Sequence, residues 1–236
     1  MAIMEYTTIL HVQGHAPEAV ADALTAIFAR EERPLALRLQ GTFSAVLARA
    51  TNPNLAAIYR YLVCRPHANA RWTPVLEVGE RADGLDIELS RALAGAAVFT
   101  IFVYGDGVSG YRLARDGAAI DRYLSDPTAM ATEEVTTEEI EAARGYPARF
   151  ADLLPDGTAP EDFERVVLRP GWWEDASEHE GNDEDAEDAD LVDETDRMRC
   201  IALALELWGP AEYPFAGELE ALANQQMGPA IAIAYA

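Results

Sequence analysis

Three features predict an α+β protein built on a mostly antiparallel sheet of six to seven strands, with helices packed on it. Short β-branched or alternating runs recur along residues 5–123. Amphipathic helical patterns lie between some of them. Two of the runs, 111–115 and 119–123, are joined by Asp116-Gly117, the residue pair of a tight hairpin.

Residues 5–12 are rich in Thr, Ile and Val and read as a strand that Gln13-Gly14 ends. Pro17 sits where the first turn of a helix tolerates a missing N–H, and Val20, Leu24, Ile27 and Phe28 follow at helical spacing. Residues 35–39 alternate, and after Gly41 the run 43–48 is expected to be a further strand. Asn52-Pro53-Asn54 marks a turn and helix start, with Leu55, Ile58, Tyr59 and Leu62 on one face of a helix that Pro66 closes. Residues 72–78 form the next strand, and 86–93 a helix carrying Ile87, Leu89 and Leu93. Residues 97–104 are apolar at nearly every position, as in a central strand buried on both faces. Residues 5–50 and 72–124 then follow a similar order, which points to a duplicated β-α-β-β unit joined by the 53–65 helix.

After Pro127 the composition changes, which divides the chain into an α+β sheet domain, 1–127, and a mainly helical C-terminal extension packed on it, 128–236. Helical patterns occur near 133–144, 149–154, 160–168, 193–208 and 215–227, and 230–235 has the makings of a strand returning to the sheet. Residues 174–190 are acidic, of low complexity, and carry no apolar side chain larger than alanine, so they are expected to be a disordered loop.

The formal net charge is −23, and thirteen acids fall between 174 and 196 without one basic residue. The remainder still carries 28 acids against 18 arginines. Such a field repels nucleic acid and anionic membranes and favours a basic partner or serves solubility alone. Lysine is absent, which excludes Schiff-base chemistry and a P-loop lysine. Cys64 and Cys200 lie far apart in apolar surroundings and read as buried thiols of a reducing compartment. The first residues lack a basic, then apolar, leader, and no run approaches the ~18 apolar residues of a membrane span, so a cytoplasmic location is expected.

Within 73–127 stand Leu89-Ser90-Arg91-Ala92-Leu93, then Tyr104-Gly105-Asp106, then Tyr111, Leu113, Asp116-Gly117, Asp121-Arg122-Tyr123, Ser125 and Pro127. This pattern resembles a family of uncharacterised bacterial proteins with Tyr-x-Leu-x-x-Asp-Gly-x-x-x-Asp-Arg-Tyr-x-Ser-x-Pro after an apolar strand. The stretch 203–210 is similar to that family's closing segment. The resemblance implies no activity and supplies no catalytic residue. Members tend to carry a second acid where Gly107 stands here, which weakens a metal-binding turn.

Candidate chemistry is sparse. Asp106, Asp116, Asp121 and Asp126 surround the hairpin, either as cation ligands or, more simply, as turn formers that bond their own backbone. His11 and His15 have the spacing of helical zinc ligands but fall on a strand and beyond a glycine break, and Cys64 with His67 lacks a second pair. The glycine-rich 105–110 stretch precedes no helix, as a phosphate cradle requires, and a Gly-x-Ser-x-Gly elbow is missing. The 182–188 acids lack the glycine and closing glutamate of a calcium loop. Trp172 and Trp173, followed by Glu174 and Asp175, either fold back over the core or place aromatic surface beside dense negative charge, which suits docking of a basic protein.

These observations favour a non-catalytic binding or regulatory module with neither cofactor nor metal, of the immunity or antitoxin type. The alternative is an enzyme or a small-molecule or metal-binding protein with its site at the 105–121 hairpin, near Asp106, Tyr111 and Asp121.

Overall fold

The computed structural model describes residues 6–65, 71–80, 82–104, 108–128, 135–163, 201–202, 205–207 and 229–236. Eight strands, β1 (Tyr6–Gln13), β2 (Leu35–Gly41), β3 (Tyr59–Cys64), β4 (Trp72–Glu77), β5 (Ala97–Tyr104), β6 (Val108–Arg115), β7 (Ala118–Leu124) and β8 (Ala230–Tyr235), form one sheet. Its order is β2-β8-β3-β4-β1-β5-β6-β7, and every pairing is antiparallel. The helices are α1 (Pro17–Arg30), α2 (Phe43–Ala50), α3 (Leu85–Ala92), α4 (Thr137–Ala142) and α5 (Pro160–Phe163), with a 3-10 segment at Pro147–Leu153. None of the helices is long and apolar enough to cross a membrane among the described residues.

The alternating directions make β1 parallel to β2 and β4 parallel to β5. Helix α1 links the first pair and α3 the second. The two connections start from oppositely directed neighbours and travel towards opposite ends of the sheet, so right-handed crossovers place both helices on one face. They do share a face and one apolar core: Leu10, Val12, Tyr61, Val63, Val75 and Val98 of the sheet meet Val20, Leu24, Ile27 and Phe28 of α1 and Leu85 and Leu89 of α3. The Phe28 ring stacks on Tyr235 with centroids 4.3 Å apart and lies 5.5 Å from both Tyr59 and Tyr61.

The opposite face buries Ile9, Leu62, Trp72, Leu76, Phe99, Ile101, Tyr111, Leu113 and Tyr123 with α2, the 3-10 segment, α5 and Ile201, Ala202, Leu205 and Leu207. Helix α2 lies over β8, whose Ala230 and Ala232 on this face leave room for Phe43, Val46 and Leu47. Strand β5 lies inside the sheet, between β1 and β6, and Ala97, Val98, Phe99 and Ile101 are all buried, as its unbroken apolar run requires.

The architecture differs from the sequence expectation in three respects. The sheet has eight strands, β8 of the C-terminal part being inserted between β2 and β3. Residues 43–48, expected as a strand, lie in helix α2, whose buried Phe43, Val46, Leu47 and Ala50 are spaced for one helical face. Residues 59–64, expected to lie in a helix, form strand β3, with Tyr61 and Val63 facing the α1 side and Leu62 and Cys64 the other. The first half is therefore β-α-β-α-β, and the β-α-β-β duplication does not hold. The helices expected across 193–208 and 215–227 and the 174–190 loop fall largely or wholly outside the described residues, although Ile201 and Ala202 are helical.

Candidate functional site

Strands β6 and β7 meet at Asp116-Gly117, both with positive φ (52° and 77°), as the tight hairpin turn with two left-handed central residues demands. The turn is held from outside. The Gly117 amide donates to Ser90 Oγ at 3.0 Å, and its carbonyl accepts from Arg91 Nη2 at 3.1 Å. A side chain at position 117 would meet the Arg91 side chain, so glycine satisfies both the backbone and the packing. Asp126 accepts from the Thr128 amide at 2.8 Å and its hydroxyl at 2.7 Å, and so acts as a turn former.

Asp121 plays a different part. It points from β7 onto the face opposite α1 and α3, and its side chain is 0% exposed. Oδ2 accepts from the Tyr111 hydroxyl at 2.9 Å and from the Tyr146 amide at 2.9 Å, and Oδ1 accepts from Arg149 Nη1 at 3.1 Å. Burial pushes the Asp121 carboxyl above its ordinary range, while the Tyr146 amide, the Tyr111 hydroxyl and Arg149 act against that rise. Burial beside this carboxylate also pushes the Tyr111 hydroxyl well up. Around the pair lies a run of rings: Tyr111 stacks on Phe99 at 4.9 Å and Tyr123 at 5.7 Å, and Phe150 meets Tyr111 edge-on at 5.9 Å. The carboxylate is sealed from water and engaged on both oxygens, so it fastens the 146–149 segment to the sheet.

A second buried carboxylate anchors the other face. Asp86, in the first turn of α3, is 0% exposed and receives both Nε and Nη2 of Arg112 on β6, the latter at 2.5 Å. This two-pronged pair ties helix to sheet.

Of the sequence-named ligand-site residues, Tyr111 and Asp121 are brought into direct contact, and Asp106 lies outside the described residues. Trp172, Trp173, Glu174 and Asp175 also lie outside them, as do His67 and Cys200. His11 is buried on β1 with Nδ1 3.3 Å from Phe99 O, and desolvation lowers its pKa to about 3. Cys64 is buried as a free thiol, and burial pushes its pKa up. Among the described residues, three or more His, Cys, Asp or Glu side chains nowhere gather into a group able to hold a metal ion.

The residues that sequence reasoning missed are Asp86, Arg112, Tyr146 and Arg149. Asp86 had one usable signal, an acid in a helix's first turn. Tyr146 and Arg149 had none, because they stand 25 and 28 residues from Asp121 in the chain. Comparisons with family models, curated proteins and solved structures found no match to this chain.

Proposed function

We propose that the protein is a non-catalytic binding module of the immunity or antitoxin type, which masks a basic protein partner by charge complementarity. The observation that carries this reading is the charge: 41 acids against 18 arginines, a net −23, with thirteen of the acids between 174 and 196 beside Trp172-Trp173. A field of that strength accelerates encounter with cations and disfavours nucleic acid and anionic lipid. The described carboxylates support it indirectly. Asp86 and Asp121, the two most buried, are committed to arginines that hold the fold.

The experiment is a titration with a cationic nuclease-type protein across a salt series. Binding that weakens on the order of tenfold or more as ionic strength rises from low to physiological supports the reading. Absent or salt-independent binding rejects it.

A further inference from the structure

The sheet face under α1 and α3 carries three buried hydroxyls that lack a hydrogen-bond partner among the described residues: Thr8 Oγ1, Thr100 Oγ1 and the Tyr61 hydroxyl. Thr8 and Thr100 are each 2% exposed and Tyr61 is 0% exposed. Buried hydroxyls are ordinarily paired, and an unpaired one works against the fold. The strand register sets the three close together. Tyr61 pairs with Glu77 across β3 and β4, and the register that pairs Ile9 with Leu76 brings Glu77 abreast of Thr8 on β1. Thr8 pairs with Phe102 on β5, and Thr100 stands two residues from Phe102, diagonal to Thr8. Leu10, Tyr61, Val75 and Val98 face α1 and α3, so strand alternation turns Thr8, Glu77 and Thr100 to the same side.

This polar strip lies where the helical cover divides. Helix α1 packs chiefly on β3 and β8, and α3 on β5 and β6, so the seam between them passes over β4 and β1, the strands of Glu77 and Thr8. The Arg30–Glu88 ion pair, at 3.1 Å, bridges that seam. Phe102 stands between Thr8 and Gly110 in the same row, and its ring leans over Gly110: a Cβ added to Gly110 would come within 2.6 Å of Phe102 Cζ. Thr8 therefore has a ring directed away from it on one side and a carboxylate on the other. Burial first, and the Glu77 carboxylate second, push the Tyr61 hydroxyl up, so it keeps its proton beside that carboxylate.

We infer that the strip formed by Tyr61, Glu77, Thr8 and Thr100 is a binding site for a small aliphatic amine, held beneath the seam of α1 and α3. An ammonium group carries three N–H donors and no acceptor, which matches hydroxyl oxygens set beside a carboxylate. The strip crosses three strand intervals, about 14 Å, so a short alkyl chain as well as the ammonium group fits along it. The next row, Val63, Val75 and Leu10, gives that chain an apolar wall. A chain of net charge −23 draws cations and repels carboxylates and phosphates. The site is separate from the masking role proposed above, which uses surface charge and not this buried strip.

The probe is butylamine, titrated into the full chain at fixed ionic strength, with butanol and butyrate as its neutral and anionic counterparts. A saturable rise in Tm with butylamine alone is expected, together with NMR contacts from its methylenes to the Thr8 and Thr100 methyl groups. A Thr8→Val/Thr100→Val double variant keeps the shape and removes two orphaned hydroxyls. Its Tm without ligand rises by about 2–4 °C, while its affinity for butylamine falls on the order of tenfold. Tyr61→Phe and Glu77→Gln weaken binding in the same direction, and Glu161→Gln, at an exposed position on α5, leaves it unchanged. Binding that persists in the valine variant is adventitious attachment to the acidic surface and overturns the site. An equal effect of butanol, or no saturable effect of the amine, overturns it as well. A lower Tm for the valine variant shows that internal water already satisfies the hydroxyls, with the same consequence. The salt-dependent masking of a basic protein is read in its own titration and stands or falls apart from these results.

Discussion

The sheet's two faces are covered by different means. On one, α1 and α3 are regular helices whose backbone groups are mostly satisfied internally, and side chains tie them to the sheet: Arg112 to Asp86, Arg38 to Asp22, Tyr235 to Thr25, and Ser90 with Arg91 to the Gly117 backbone. On the other, among the described residues, α2 is joined by a 3-10 segment, a four-residue helix and the short pieces 201–202 and 205–207. The carbonyls and amides of these short pieces need outside partners, and side chains from the sheet region supply them. Trp72 Nε1 donates to Leu205 O at 3.1 Å, Arg71 Nη2 donates to Leu153 O at 2.9 Å, and Asp121 accepts from the Tyr146 amide at 2.9 Å. Irregular cover is thus held by backbone-directed side chains, and helical cover by apolar packing plus one buried ion pair.

That contrast sets the size and place of mutational effects. Arg112→Ala leaves Asp86 buried without its charge partner, which costs about 3–5 kcal/mol. Denaturant titration measures the loss, and hydrogen exchange should quicken in α3 and at the 116–117 turn while 146–153 stays protected. Uniform quickening on both faces would show that the two covers are one cooperative unit. Asp121→Ala strands the buried Tyr111 hydroxyl and the Tyr146 amide but frees Arg149, which is half exposed, to water. The cost is about 2–3 kcal/mol, with exchange quickening at 146–153 and not in α3.

How much of this was legible follows from the same physics. The Asp-Gly turn, the 97–104 strand and the α1 and α3 patterns were readable because each signal is local. The 43–50 and 59–64 segments were misread in opposite directions. Phe43, Val46, Leu47 and Ala50 have helical spacing, but the run is short and follows a glycine that looked like a strand turn. Tyr59 and Leu62 fell into helical register with Leu55 and Ile58 by coincidence; the apolar run 61–64 is a strand covered on both sides, where alternation disappears. Asp121 stood out in sequence only as one of four hairpin acids. Nothing local separates it from Asp116 and Asp126, which do serve turns. Its role depends on Tyr146 and Arg149, and only the fold brings those to it.

Acid should weaken the fold through His11, which lies on the same face as Asp121 and is buried uncharged. Its folded pKa of about 3 lies below the ordinary 6.5, so the unfolded chain takes the proton first. The His11 contribution is complete above pH 6.5 and fades as pH falls towards 3. Between pH 6.5 and 5 the loss is about 2 kcal/mol. Asp121 has the opposite sign. Its raised folded pKa favours folding when it is protonated, and that benefit fades as pH rises through the folded value. His11→Asn, which keeps a donor for Phe99 O, should flatten the decline between pH 6.5 and 5 in denaturant titrations. An unchanged slope would move the acid sensitivity to other groups.

The smallest expected effect separates the Asp121 hydrogen bonds from the rings around them. Tyr111→Phe removes one hydroxyl and keeps the stacks on Phe99 and Tyr123, while Asp121 retains the Tyr146 amide and Arg149. The cost is about 1 kcal/mol. The lost bond had favoured the ionised carboxylate, so the Asp121 carboxyl, followed by carbon NMR, should titrate still higher than in the parent. A stability loss without that rise would mean that the hydroxyl matters for packing alone. The rise without measurable loss would mean that the backbone amide and Arg149 suffice to hold the irregular cover, and that the contrast between the two faces lies in their apolar contacts.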